Sequence, residues 1–191
     1  MVYSGGLTLG RSEALCEFSM LAIQAGSMAG FQVRVIVHSM EPLDEDLQKT
    51  FDSNHIIFRG GLSSSKLKAA LQSADFLLHV ESDREEFKSK TKLSISTKIP
   101  EYLSTGVCVI AYGPADISSI KLIKDNCIGI VVAVSDSFEL QVEKLSNELS
   151  NLISCQNIAS KGLKFAFDNF NLVDVRALID SRINSTADSS S

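Results

Sequence analysis

Residues Gly106–Gly113, GVCVIAYG, are apolar on both alternations of an extended chain. A strand wetted on one side alternates apolar with polar residues, whereas one covered by helices on both faces of a parallel sheet stays apolar throughout. Val33–His38 (VRVIVH) and Asp75–Val80 (DFLLHV) read the same way. Shorter β-branched runs at Val2–Ser4, His55–Phe58 and Gly129–Val132 complete a set of about six expected strands. Between these runs the apolar period changes to 3.6. Leu15, Phe18, Ala22 and Ala25 share one helix face, as do Phe138, Val142, Leu145, Leu149 and Leu152 of a later helix. Gly5-Gly6, Gly60-Gly61, Pro100, Gly106 and Gly113-Pro114 punctuate the joints. Strands alternating with helices predict an α/β fold, a doubly wound Rossmann-like parallel sheet of about six strands with helices on both faces.

The 191 residues fit one domain, expected over residues 1–183, with a polar, frayed tail at 184–191. Apolar residues make up 45% and charged residues 21%, which excludes disordered, collagen-like and coiled-coil chains. The net charge of −5 gives no overall field for nucleic acid or an anionic membrane, so an anionic ligand needs a local site. No apolar run approaches the ~20 residues of a membrane span, and the first ten residues lack the pattern of a secretory signal. Cys16, Cys108, Cys127 and Cys155 form no C-x-x-C pair, so neither a disulfide framework nor a zinc site is expected; Cys108 and Cys127 are expected to pack as small hydrophobes. A reduced, cytoplasmic chain follows from that usage.

Ligands of open α/β sheets bind beyond the carboxyl ends of the strands, so the loops there carry the chemistry. The first, Ser4-Gly5-Gly6-Leu7-Thr8-Leu9-Gly10-Arg11, joins a glycine pair to a helix start. Glycines permit close approach of a ligand, amides at a helix start favour phosphate, and Arg11 supplies a forked donor. The spacing is not G-x-G-x-x-G, and Val37-His38 ends the second strand without an acid, which argues against a dinucleotide site. A plain glycine turn with a solvated arginine is the bland alternative. The second stretch, Lys92–Gly113, places Ser96 or Thr97 as the cap of a short helix with Pro100 in its first turn. Glu101 in that turn either complements the helix dipole or accepts two hydrogen bonds from a vicinal diol such as a ribose. Lys98 either neutralises phosphate charge or is solvated. Glu81 reads as a loop carboxylate in the acidic run with Asp83, Glu85 and Glu86, or as a sugar contact. His38, His55 and His79 are too dispersed for a metal triad and read as neutral, hydrogen-bonded histidines.

Two features together, Gly5, Gly6 and Arg11 in the first loop and Ser96-Thr97-Lys98-Ile99-Pro100-Glu101-Tyr102-Leu103-Ser104-Thr105-Gly106 before an apolar strand, resemble the C-terminal, nucleotide-sugar-binding domain of family 4 GT-B glycosyltransferases. The likeness spans roughly residues 2–180 and includes Gly60-Gly61-Leu62 at the turn that lies near the base in that family. It implies that Arg11 and the Gly5-Gly6 backbone contact a diphosphate, that Glu101 binds the ribose, and that Gly60, Gly61 and Leu62 line the base. Backbone amides around Ser94–Thr97, with Ser96, Thr97 and Lys98, would face the phosphate or the sugar, and Glu81 could supply a sugar contact. Arg11 and Glu101 are thus the expected catalytic pair, Arg11 stabilising the leaving group. Leu93 departs from the family where many members carry a second acid, and Gly6 departs where a second basic residue is usual. The resemblance implies retaining transfer of a hexose-type sugar without metal or cofactor. It further implies a separate N-terminal acceptor domain outside this chain, through which the enzyme could meet a membrane, and little turnover by this domain alone. A degenerate, non-catalytic interaction module on the same fold is the alternative.

Overall fold

The structure is a computed structural model and describes residues 1–170. The tail expected at 184–191 lies outside them. Six strands, β1 (Val2–Ser4), β2 (Val35–His38), β3 (Ile56–Phe58), β4 (Phe76–Val80), β5 (Cys108–Gly113) and β6 (Ile130–Ala133), form one parallel sheet in the order β3-β2-β1-β4-β5-β6. The strand order reverses between β1 and β4, so a crevice opens there at the carboxyl ends. The helices are α1 (Arg11–Ala29), α2 (Glu45–Ser53), α3 (Ser64–Gln72), α4 (Glu85–Thr91), α5 (Lys98–Leu103), α6 (Ser118–Asp125), α7 (Phe138–Ser150) and α8 (Leu152–Phe170).

Alternation along the strands sorts the interior into two layers. Tyr3, Val35, Val37, Leu78, Val80, Ile110 and Tyr112 meet Leu15, Phe18 and Ala22 of α1, Phe51 of α2 and Val142, Leu145 and Leu149 of α7. Val2, Leu77, Val109 and Ala111 point the other way, toward Leu71 of α3, Ile99, Tyr102 and Leu103 of α5 and Ile120 and Ile123 of α6. The helix face read as Leu15, Phe18, Ala22 and Ala25 is buried. The later face is shorter than expected. Asn151, at φ −109 and ψ 74, breaks the chain, so Leu152 opens α8 and lies exposed, and Phe138 at the start of α7 is exposed as well. Cys108 is buried, but Cys127 is exposed, because the left-handed turn it makes (φ 52) after α6 carries it to the surface. At α5, Thr97 has helical dihedrals and makes no capping bond; the Ser96 hydroxyl instead accepts from the Lys98 amide at 3.3 Å.

Beside the crevice β1 pairs with β2 through Ser4↔His38, but with β4 only at Val2↔Leu77. The edge left open is closed by a side chain. Tyr102 of α5, 1% exposed, donates its hydroxyl to the Ser4 carbonyl at 3.0 Å and accepts from the Ser4 amide at 2.7 Å. On β4, His79 is buried, and its Nε2 lies 3.0 Å from the Ser119 hydroxyl at the start of α6. Burial, reinforced by the Arg11 charge, pushes the His79 imidazole down to about 3, so it is neutral at ordinary pH.

Replacing Tyr102 by Phe keeps the ring and removes both partners of Ser4. Leaving those buried backbone groups unsatisfied should cost about 1–3 kcal/mol, read as a lower denaturant midpoint at unchanged slope. A second expectation concerns acid. The unfolded chain protonates His79 near 6.5, whereas the folded chain refuses the proton until about 3, so stability is present above 6.5 and is lost as the pH falls through that window. His79→Gln should flatten the loss in denaturation curves collected across the same window. Wild-type and variant curves falling in parallel would contradict it.

Candidate functional site

The loop after β1 is drawn tight before it reaches α1. The Tyr3 hydroxyl donates to the Gly6 carbonyl, and the Leu7 amide donates to Glu41 Oε2 at 2.8 Å. A Cβ on Gly5 would stand 2.9 Å from the Tyr3 hydroxyl, and one on Gly6 would stand 2.8 Å from Glu41 Oε1. A side chain at either position would thus displace the Tyr3 hydroxyl or the Glu41 carboxylate from the bonds they make to the loop. Gly10 then takes φ 72 and α1 begins at Arg11 without a side-chain cap; the Arg11 and Ser12 amides instead donate back to the Thr8 and Leu7 carbonyls at 3.3 and 3.2 Å, so the loop itself satisfies the start of the helix.

Two concave lobes flank this loop and share Ser4, Gly5, Gly6 and Lys98 as walls. The lobe over β1 and β4 measures about 270 Å³ and adds Arg11, His79, Ser96, Thr97 and Tyr102. The lobe over β2 measures about 260 Å³ and adds His38, Met40, Glu41, Gly61, Leu62 and Leu67. Of the residues singled out from sequence, Gly5, Gly6, Arg11, Gly61, Leu62, Ser96, Thr97 and Lys98 thus line one continuous groove. Gly60 does not line it. It turns the chain at φ 67, and its carbonyl lies 3.2 Å from His38 Nδ1. A carbonyl only accepts, so that nitrogen carries the proton.

The acids lie differently. Glu101 stands beside the groove, its side chain 41% exposed and its Oε2 3.0 Å from Lys98 Nζ, so it reaches the groove through Lys98. Glu81 is no solvated loop carboxylate. It is 3% exposed, and Arg11 Nη2 reaches both of its oxygens at 3.3 Å from across the β1–β4 split. Its backbone extends the ladder, the Glu81 amide donating to the Tyr112 carbonyl at 2.9 Å. A Cβ on Gly113 would meet the Glu81 carbonyl at 2.8 Å, so the neighbouring strand end must be glycine to admit it. Burial lifts the Glu81 carboxyl above its usual range while Arg11 pulls it back down. Glu81 does not line either lobe; Arg11 stands between it and the groove. Leu93, where the resemblance would put a second acid, is 90% exposed.

Sequence reasoning missed Glu41 and the Tyr102 hydroxyl. Glu41 follows the second strand by three residues, so its place at the carboxyl edge was legible, but its bond to Leu7 was not. Tyr102 sits in a helical pattern that only marks it as apolar. No group of three or more His, Cys, Asp or Glu side chains among the described residues could hold a metal ion. No helix among them is long and apolar enough to cross a membrane.

The sequence profile of the family described as "Glucosyltransferase 3-like, C-terminal domain" matches residues 27–161. A search of curated proteins found no significant match. Among solved structures, the chain is similar to WaaG, a glycosyltransferase involved in lipopolysaccharide biosynthesis, with 20% identity and a TM-score of 0.63 over 90% of this chain and 43% of that one. It is also similar to TarM, with 11% identity and a TM-score of 0.68 over 96% of this chain and 34% of that one. A chain of the GtfA/B complex aligns with 13% identity and a TM-score of 0.68 over 98% of this chain and 36% of that one. The chain thus spans less than half the length of these structures, on a fold they share. With the profile covering well over half of its residues, the chain belongs to the glucosyltransferase 3-like, C-terminal domain family, on the α/β architecture of GT-B glycosyltransferases.

Proposed function

We propose that this domain binds the nucleoside-diphosphate sugar donor of a GT-B glycosyltransferase that transfers a hexose-type sugar. The observation that carries the reading is the groove at the β1–β4 split, where Arg11 and Lys98 converge on a two-lobed cavity. A diphosphate held in the lobe that Arg11 and Lys98 both line would be stabilised by them as a leaving group. The β2 lobe, walled by Gly61, Leu62, Met40 and Leu67, has the apolar character that suits a base. Glu101, half-exposed and held by Lys98 at the rim of the groove, would take the ribose hydroxyls and position the donor, while Arg11 and Lys98 carry the charge. The reading extends, through the resemblance to family 4, to transfer with retention and without metal or cofactor. It also includes an acceptor-binding N-terminal domain as partner, a cytoplasmic location, and low activity for this domain by itself.

Leu93 in place of an acid favours a second reading, a degenerate domain that docks a partner and transfers nothing. Titration with UDP, GDP and ADP separates the two. A nucleotide at about 100 times its Kd should stabilise the domain by about 2.7 kcal/mol, visible as a rise in Tm. Arg11→Ala and Lys98→Ala should each weaken that nucleotide about tenfold to a hundredfold, the range for hydrogen bonds to charged groups. Glu101→Gln should weaken the nucleotide far more than inorganic phosphate; equal losses would remove the ribose assignment. Absence of any response at millimolar nucleotide would favour the docking module.

A further inference from the structure

Before any ligand arrives the groove holds no unpaired cation among the described residues, and Glu41 adds a further carboxylate to the wall of the β2 lobe. The two cations of the groove are each already paired, Arg11 with Glu81 and Lys98 with Glu101. An incoming diphosphate competes with both carboxylates, and the two can respond in different ways. Glu101, 41% exposed, can swing into water or onto a ribose. Glu81 cannot leave. Its amide is tied into the β4–β5 ladder, its Cβ lies against Gly113, and its carboxylate is 3% exposed.

Among the described residues the surroundings of Glu81 offer no substitute cation, and Arg11 on α1 is its one charged partner there. On β4 itself, His79 Nε2 stands 3.5 Å from Glu81 Oε1, but burial and Arg11 hold that ring neutral. From β1 the nearby titratable group is Tyr3, whose phenol burial raises well beyond its usual range and whose hydroxyl is already given to Gly6. From α6 comes only the Ser119 hydroxyl, engaged with His79, and from β5 only the backbone of Tyr112 and Gly113. An ionised carboxylate stripped of its partner in such a place is costly enough that it takes a proton instead.

Resting on the donor-site reading, we infer that a diphosphate entering the groove draws the Arg11 guanidinium from Glu81, and that Glu81 takes up one proton from solvent as it does so. The Arg11–Glu81 pair is then a charge switch within the site. Arg11 is masked in the empty groove and is exposed as a full cation only when Glu81 becomes a neutral acid. Burial already lifts the Glu81 carboxyl above its usual range with Arg11 beside it, and loss of that guanidinium lifts it further. Donor affinity must consequently fall as the pH rises, because the liganded state holds one proton more than the free state.

The test uses the domain with UDP-glucose, GDP-mannose and ADP-glucose, whose diphosphates are diesters and do not titrate near neutrality. Calorimetric titration of whichever binds, in two buffers of different ionisation enthalpy, should report uptake of half to one proton. The affinity should drop by up to tenfold per pH unit above neutrality. In Glu81→Gln both effects should vanish and the affinity at alkaline pH should equal or exceed that of the wild type. The carboxyl 13C signal of Glu81 in the unmutated domain, with and without the nucleotide sugar, gives the same answer should the variant fold poorly; it should move to the protonated position on binding. Binding without proton uptake, or uptake that persists in Glu81→Gln, would mean that Arg11 serves ligand and Glu81 together and would overturn the switch while leaving the donor site standing. Failure of all three compounds, and of UDP, GDP and ADP, to bind would overturn the donor site and the switch with it.

Discussion

The groove exists because the sheet is held open between β1 and β4. A parallel sheet gains by zipping its backbone groups together, and these two strands pair at Val2 and Leu77 and then part. Parting exposes the amide and carbonyl of Ser4 in a buried place, which is tolerable only with other partners. The Tyr102 hydroxyl provides both bonds at once. It comes from α5, the helix that also carries Lys98 and Glu101, so one side chain both satisfies the opened strand and fixes the wall of the site against it. The two motifs that carry the family resemblance, far apart in sequence, are thereby locked to a common edge.

What crosses the opening is charge. Arg11 spans it from α1 to Glu81, while Lys98 stands on the far wall with Glu101. Exposed pairs of this kind contribute little to stability, and a buried carboxylate paired through one guanidinium nitrogen at 3.3 Å is no better a stabiliser than packed apolar side chains would be. They pair each cation of the groove with a carboxylate, so no bare cluster of positive charge is left. Glycine serves the same end from the opposite direction. Gly113 admits the Glu81 backbone, and Gly6 admits the Glu41 carboxylate that holds Leu7.

The layered fold was readable from residue patterns to within about two residues, because uninterrupted apolar strands and 3.6-spaced helices each have one economical arrangement. Errors fell where a single dihedral decides the outcome. Asn151 divides what a continuous period suggested was one helix, and the left-handed turn at Cys127 brings an apolar-looking residue to the surface. The Ser96 cap was narrowed to two neighbours, because either hydroxyl lies within reach of the first amides and only the backbone of Thr97 disqualifies it.

The site was legible as a set of loops at one sheet edge, and the residues named there largely do share a groove. Glu81 shows the limit. Its neighbours Asp83, Glu85 and Glu86 make it look like one more solvated acid, and its burial follows from the strand end, Gly113 and Arg11, which are contributed by distant parts of the chain. Local pattern determines which elements form and which of their faces are apolar, since propensity and periodicity act over a few residues. Which carboxylate is buried, which cation it neutralises and which phenol closes the open strand are matters of long-range packing, decided only when α1, β4 and α5 meet at the split in the sheet.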